Sequence, residues 1–197
     1  MSGLADARRL VVKVGTSTLT YENGRLNLRR IESLVRVLSD FKNAGREIVL
    51  VTSGAIGVGA GHLGLRERPH DIGGKQAAAA VGQCELMYAY DKHFSEYGHV
   101  TAQVLLTRDV VEDAQRKTNV VNTLCRLLEY GAVPIINEND TVATEEIEFG
   151  DNDTLSALVA ELVGADALVL LTDIDGLYDA DPHKDPDAHP IPEVRII

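Results

Sequence analysis

The chain has 197 residues, 45% of them hydrophobic, with a formal net charge of −11 and a pI near 4.9. That length holds one good-sized α/β domain, and the acidic balance argues against general nucleic-acid binding, which needs a concentrated basic surface, but not against an anionic ligand met by a few focused cations. Cys84 and Cys125 lack any zinc spacing and read as buried free thiols in helices; the short polar N-terminus is no signal peptide and no apolar run reaches membrane-span length, so a reducing cytoplasm is the expected setting.

The run RLVVKV (9–14) is a strand expectation, apolar except for Lys13, and Gly15-Thr16-Ser17 follows at once. A strand buried on both faces should be almost wholly apolar. Lys13 is therefore either a snorkelling side chain near a strand end or a cation placed for use. The adjacent turn offers close backbone approach at Gly15 and hydroxyls and N–H groups suited to phosphate. It is not a P-loop, because the lysine precedes the glycine. Apolar residues at helical spacing predict a helix over 28–44, stopped by Gly45. A second strand over 47–51 runs into Thr52-Ser53-Gly54. That ending serves either tight helix–strand packing or the holding of a carboxylate or phosphate by Ser53 and its neighbouring N–H groups.

A turn-rich break over 69–74 precedes a long helix over 75–94 that opens near four consecutive alanines. Its small residues suggest a close neighbour, with another subunit as one candidate, although alanine is also simply a good helix former. A third strand is expected over 100–106, a helix over 118–129, a fourth strand over 133–136, a helix over 154–163 and a fifth strand over 167–171. The Pro-, His- and Asp-rich remainder reads as a surface loop entering a last short strand.

The fourth strand turns abruptly into Asn137, Glu138, Asn139 and Asp140, and Asp151, Asn152 and Asp153 open the helix that follows. Asn and Asp are common turn and N-cap residues. Two such dense clusters, one at a strand end and one at a helix start, also suit a ligand crevice, which in open α/β sheets lies outside the carboxyl ends of the strands. The fifth strand ends likewise in Thr172-Asp173. Alternating strands and helices imply an α/β fold with a mostly parallel sheet and helices on both faces.

The segments VVKVGTS (11–17), VTSGAI (51–56), INENDTV (136–142), FGDND (149–153) and LLTDIDGLY (170–178) together resemble the amino acid kinase family, and within it the glutamate 5-kinases. The resemblance implies a three-layer α/β/α sandwich around an open, mostly parallel sheet. It implies transfer of the γ-phosphate of ATP, with Mg²⁺, to the side-chain carboxylate of L-glutamate, the first step towards proline. Carried over, Lys13 touches the transferred phosphoryl group, and Asp153 orients Lys13. Ser53, Asn137, Asp140 and Asn152 hold glutamate; Gly15, Thr172 and Asp173 lie with Lys13 on the nucleotide side. The resemblance further implies feedback inhibition by proline and a homo-oligomer. No resident metal site is expected from the protein side chains alone.

The chemistry suits these residue types. A carboxylate with a pKa near about 4.3 is already ionised at neutral pH, so no general base is needed. The difficulty is repulsion between two anions, which calls for cations and N–H donors. The family also has a later glycine-rich segment with a second lysine, and many members carry an RNA-modifying-type (PUA) domain. Neither occurs within residues 1–197, so the expectation is one kinase domain, incomplete at its C-terminal end and weakly active or inactive alone. Two other readings stay open: a glutamate or proline sensor without phosphoryl transfer, and the kinase domain of a bifunctional pyrroline-5-carboxylate synthase.

Overall fold

Apolar runs buried from both faces belong in the middle of a parallel sheet. The computed structural model describes residues 4–21, 23–143, 152–180, 182–185 and 187–194. Within them β1 (Arg9–Val14), β2 (Glu47–Val51), β3 (Thr101–Leu106), β4 (Val133–Glu138) and β5 (Ala167–Leu171) form one sheet in the order β3-β4-β2-β1-β5. All pairings are parallel, so every strand delivers its carboxyl end to the same edge. From β1 the chain turns towards β2; it reaches β5, on the other flank of β1, only after β4. Ligands bind outside strand ends at such a reversal.

The helices are α1 (Thr16–Leu19), α2 (Leu28–Asn43), α3 (Ala55–His62), α4 (Ile72–Glu96), α5 (Asp109–Glu112), α6 (Ala114–Glu129) and α7 (Asn152–Val163). Side chains alternate between the faces of a strand, and the core divides accordingly. Leu10, Val12 and Val14 of β1 join Ile48 and Leu50 of β2 and pack against α2, α3 and α4. Val11 joins Val49, Val51 and Ile136 and packs against Leu124 and Leu128 of α6 and Leu155, Val159 and Val163 of α7. The result is a three-layer α/β/α sandwich. The same alternation puts Lys13 on the face of Val11, the α7 face.

Several boundaries differ from expectation. The long helix begins at Ile72 rather than residue 75, because Asp71 caps it: its carboxylate accepts a hydrogen bond from the Gly74 N–H at 2.8 Å. The turn after β1 contains the short helix α1, and the sixth helix begins at Ala114. The fourth strand runs on through Asn137 and Glu138. In the segment after β5, Tyr178 and Pro190 form an antiparallel bridge; the end of the chain, where the last short strand is expected, reaches outside the described residues. Cys84 is exposed and Cys125 half-buried, so the thiols are free but not buried as expected. Among the described residues no helix is long and apolar enough to cross a membrane.

The small residues of α4 do have a close neighbour, and it lies within the same chain. Ala78, Ala79 and Gly82 are buried, and α3 crosses there so tightly that a Cβ on Gly82 would lie 1.8 Å from the Ala55 carbonyl oxygen. The cap at Asp71 gives a first test. Asp71→Ala is expected to destabilise the protein by about 1 kcal/mol, read in denaturant unfolding, with Asp71→Ser recovering most of the loss; unchanged stability in the alanine variant would remove the cap from the account.

Candidate active site

Lys13 and Asp153 meet because two periodicities agree. Strand parity aims Lys13 at α7, and Asp153 sits in the first turn of α7. The Lys13 ammonium lies 2.6 Å from Asp153 Oδ1, with side-chain exposures of 10% and 47%. The contact is an ion pair without aligned hydrogen-bond geometry. A cation this buried needs a partner, and a half-exposed carboxylate supplies one while keeping part of its own hydration.

Beside this pair the Asn152 amide is a hub. Its Nδ2 donates to the Thr52 carbonyl at 2.5 Å, to Ser53 Oγ at 3.0 Å and to Asn137 Oδ1 at 2.9 Å. Two N–H groups thus serve three acceptors, tying the end of β2 and the end of β4 to the start of α7. Thr52 extends β2 onto β4, its N–H donating to the Ile136 carbonyl at 2.8 Å. Asn137 is 2% exposed, and its Nδ2 donates to Gln83 Oε1 of α4 at 2.9 Å. A small polar cavity of about 80 Å³ is lined by Thr16, Gly54, Ala55, Ile56, Arg68, Asn137, Glu138, Asp140 and Asn152. It shares Thr16 and Arg68 with an adjoining cavity of about 540 Å³ that reaches Tyr21, Asn23 and Arg66. Gly54, at the turn into α3, has φ 93° and lies so near Thr16 that a Cβ would meet Thr16 Cγ2 at 3.0 Å.

The residues singled out in the sequence therefore gather at one edge of the sheet. Ser53, Asn137 and Asn152 are linked directly, and Asp140 shares their cavity. Gly15 follows Lys13, and its N–H donates to the Leu171 carbonyl at 3.2 Å. That bond brings the β1 turn to the end of β5, where Thr172 and Asp173 stand exposed; Thr172 Oγ1 accepts from the Ile174 N–H at 3.1 Å. A Cβ on Gly15 would make only ordinary contacts, 3.6 Å from the Leu171 oxygen and 3.7 Å from Lys13 Nζ, so the fold itself does not demand glycine there. Asp151 and the Phe149-Gly150 part of its motif lie outside the described residues. Among the described residues no group of three or more His, Cys, Asp or Glu side chains is arranged to hold a metal.

Sequence reasoning passed over four residues here. Arg68 lines both cavities; it stands just before the turn-rich break, outside every predicted strand and helix. Thr52, Gln83 and Tyr90 are buried polar groups behind the site, at 0%, 7% and 0% exposure. Thr52 Oγ1 and the Tyr90 hydroxyl lie 2.9 Å apart, and burial pushes the Tyr90 hydroxyl well above its ordinary range, so it acts as a neutral hydrogen-bonding group. Gln76, Gln83 and Tyr90 recur at seven-residue spacing on α4, which is two helical turns. That recurrence was the available signal.

Comparison with known proteins identifies the family. The family model for the amino acid kinase family matches residues 8–197. A protein of Clostridium perfringens named glutamate 5-kinase is 60% identical over 98% of this chain and 74% of its own length. A glutamate 5-kinase of Listeria innocua is 57% identical over 98% of this chain and 72% of its own. One of Moorella thermoacetica is 61% identical over 98% of this chain and 51% of its own. Among solved structures, the isopentenyl phosphate kinase of T. acidophilum in a product complex superposes with a TM-score of 0.61 at 22% identity, over 91% of this chain and 76% of that one; this likeness speaks to the fold alone. With a family model spanning nearly all of its length and relatives this similar, the chain belongs to the amino acid kinase family.

Proposed function

We propose that the chain is a glutamate 5-kinase: it transfers the γ-phosphoryl group of ATP to the side-chain carboxylate of L-glutamate, giving L-glutamyl 5-phosphate and ADP, the first step of proline biosynthesis. The observation that carries this reading is the pairing of a buried lysine, 2.6 Å from Asp153, with an amide-rich cavity at the adjoining strand ends, in a chain whose relatives bear that name. Cavity and cation together answer the electrostatic problem of bringing two anions into contact.

In this reading an oxygen of the glutamate γ-carboxylate forms a bond to the γ-phosphorus, and the bond from that phosphorus to the β,γ-bridging oxygen breaks, its electron pair leaving with ADP. The nucleophile is ionised beforehand, so no residue here takes a proton. Lys13 stabilises the charge on the transferring group, and Asp153 holds the ammonium in place. Ser53, Asn137 and Asn152 supply amide and hydroxyl groups to glutamate, and Asp140 is the counter-ion for its ammonium. Gly15, Thr172 and Asp173 lie towards the nucleotide. Mg²⁺, when bound, would offset part of the phosphate charge. The half-exposed Asp153 and exposed Asp173 fit that ion, which typically takes one or two carboxylates and relies on substrate phosphates for the rest. Cytoplasmic placement, feedback inhibition by proline and assembly as a homo-oligomer complete the proposal.

An ADP-release assay with glutamate, aspartate and N-acetylglutamate tests it. Release with glutamate alone is expected; release only with N-acetylglutamate, whose amine is no longer cationic, would overturn the assignment. The counter-ion role has its own check. Asp140→Asn is expected to raise the KM for glutamate about tenfold, as loss of a charge-assisted contact does, and to leave the KM for ATP unchanged. An equal rise in both would show a distorted site instead.

A further inference from the structure

Behind the amides that line the cavity stands a side chain with no role in the chemistry. Gln83 is 7% exposed on α4, in the face that also buries Ala79, Leu86 and Tyr90. Its Oε1 accepts from Asn137 Nδ2 at 2.9 Å, and Asn137 Oδ1 in turn accepts from Asn152 Nδ2 at 2.9 Å. The chain of bonds has one direction. Asn152 donates to Asn137, Asn137 donates to Gln83, and at Gln83 it ends, because its buried Nε2 has no hydrogen-bond partner among the described residues.

That direction matters because a primary amide is nearly symmetric in shape and opposite in polarity at its two ends. Nothing steric stops Asn137 from turning over. If it did, its NH₂ group would face the NH₂ group of Asn152, and its carbonyl would face the carbonyl of Gln83. If Gln83 turned over alone, two NH₂ groups would meet at Asn137. Asn152 itself cannot turn over without setting its carbonyl against the Thr52 carbonyl, so the only arrangement without a like-to-like contact has the Gln83 carbonyl pointing at Asn137. The cost is the stranded Nε2. A buried donor without an acceptor is destabilising, and an apolar side chain of similar shape would avoid it. A residue kept only for packing has no reason to carry that burden.

We propose that Gln83 is a positioning residue for the acceptor site: its carbonyl holds the Asn137 amide in the polarity that the Thr52 carbonyl and Asn152 impose from the other end, so that both amides present a fixed pattern of donors and acceptors to the amino-acid substrate. Gln76 and Tyr90, one heptad to either side, support the same face. Gln76 Nε2 donates to the Ala143 carbonyl at 3.3 Å beyond β4, and Tyr90 meets Thr52 at the end of β2. Helix α4 is thus a backing plate that registers the polar groups of three segments from behind. The substrate half of this inference rests on the glutamate reading above; the orientation of the amides does not.

Gln83→Met and Gln83→Glu separate the possibilities. Methionine keeps the bulk and removes the acceptor; glutamate keeps an acceptor oxygen towards Asn137. By calorimetry, Gln83→Met is expected to weaken glutamate binding about tenfold or more with nucleotide affinity within about twofold, the loss expected for one broken hydrogen bond at 1.4 kcal/mol per tenfold. Its thermal midpoint should hold, since the stranded donor goes too, and Gln83→Glu should recover most of the glutamate affinity. In the unliganded protein, the side-chain amide resonances of Asn137 and Asn152 should move in Gln83→Met and stay in Gln83→Glu. Unchanged glutamate affinity in the methionine variant, or equal losses for glutamate and nucleotide, would overturn the positioning role. Should the parent chain bind no glutamate, the acceptor reading falls, and unmoved amide resonances would then sink the positioning role separately.

Discussion

Replacing Lys13 with methionine is expected to lower turnover by about a thousandfold while glutamate affinity stays within about threefold. Removing one donor aimed at developing charge typically costs about 10²–10³ in rate, and a cation on a transferring phosphoryl group about 10³–10⁵. Lys13 stands where both descriptions apply, at the end of β1 with its ammonium held at 2.6 Å by Asp153. The glutamate-binding groups proposed above are separate from it, at or just beyond the ends of β2 and β4 and at the start of α7, so ground-state binding should be largely spared. Stability should be spared too. Removing one partner of an ion pair is costly where it strands a buried charge, but the Asp153 side chain left behind is 47% exposed and can be hydrated. Steady-state kinetics beside a thermal melt decides the matter: turnover within tenfold of the parent at saturating substrates, in a variant that melts normally, ends the catalytic role of Lys13.

The layout of strands and helices was legible because short continuous apolar runs alternate with stretches of helical period. Runs buried from both faces and βα spacing leave little choice but a parallel sheet, and a parallel sheet sends every polar strand ending to one edge. That is why Lys13, Ser53, Asn137 and Thr172, read separately as odd endings, share a neighbourhood. The alternation of β1 even carries the information that Lys13 faces α7. Other features depend on tertiary context. Asn137 looked like the first loop residue, yet it belongs to β4 because its side chain is satisfied from both sides, by Asn152 and Gln83. Gln83 and Tyr90 were missed because one polar residue in an alanine-rich helix reads as a solvent-facing position; only the seven-residue recurrence hinted otherwise. Cys84 was expected inside, but it adjoins buried Gln83 in the helix, and the turn of about 100° per residue carries it to the outer face. The small residues of α4 announced a close partner without naming it. A pattern within one helix cannot say whether the opposing surface comes from the same chain or another.

The opposing surface is α3, and substitution at that contact is expected to have the largest effect on stability. Gly82→Ala should lower stability by at least about 3 kcal/mol, the upper part of the usual overpacking range, and the melting midpoint by about 10 °C for a chain of this size. A Cβ on Gly82 would lie 1.8 Å from the Ala55 carbonyl oxygen and 2.6 Å from the Gly59 N–H nitrogen, and a Cβ on Gly59 would lie 1.7 Å from the Ala78 oxygen. All of these are backbone atoms, so no side chain can swing aside; the helices must separate. Gly57 in α3 is the control, because a Cβ there meets nothing within 4 Å, and Gly57→Ala in a helix interior should be neutral or stabilising by about 0.5–1 kcal/mol. The consequence extends beyond stability. Ala55, against which Gly82 packs, lines the small cavity, and the residue after Gly82 is Gln83, which holds Asn137. Moving α4 away from α3 therefore pulls on the amides from behind and on the cavity wall from the side. Gly82→Ala should raise the KM for glutamate even at temperatures where the variant is fully folded. A folded Gly82→Ala protein with parent-like stability and parent-like glutamate KM would mean that the two helices can part without disturbing the site, and that α4 does not register it.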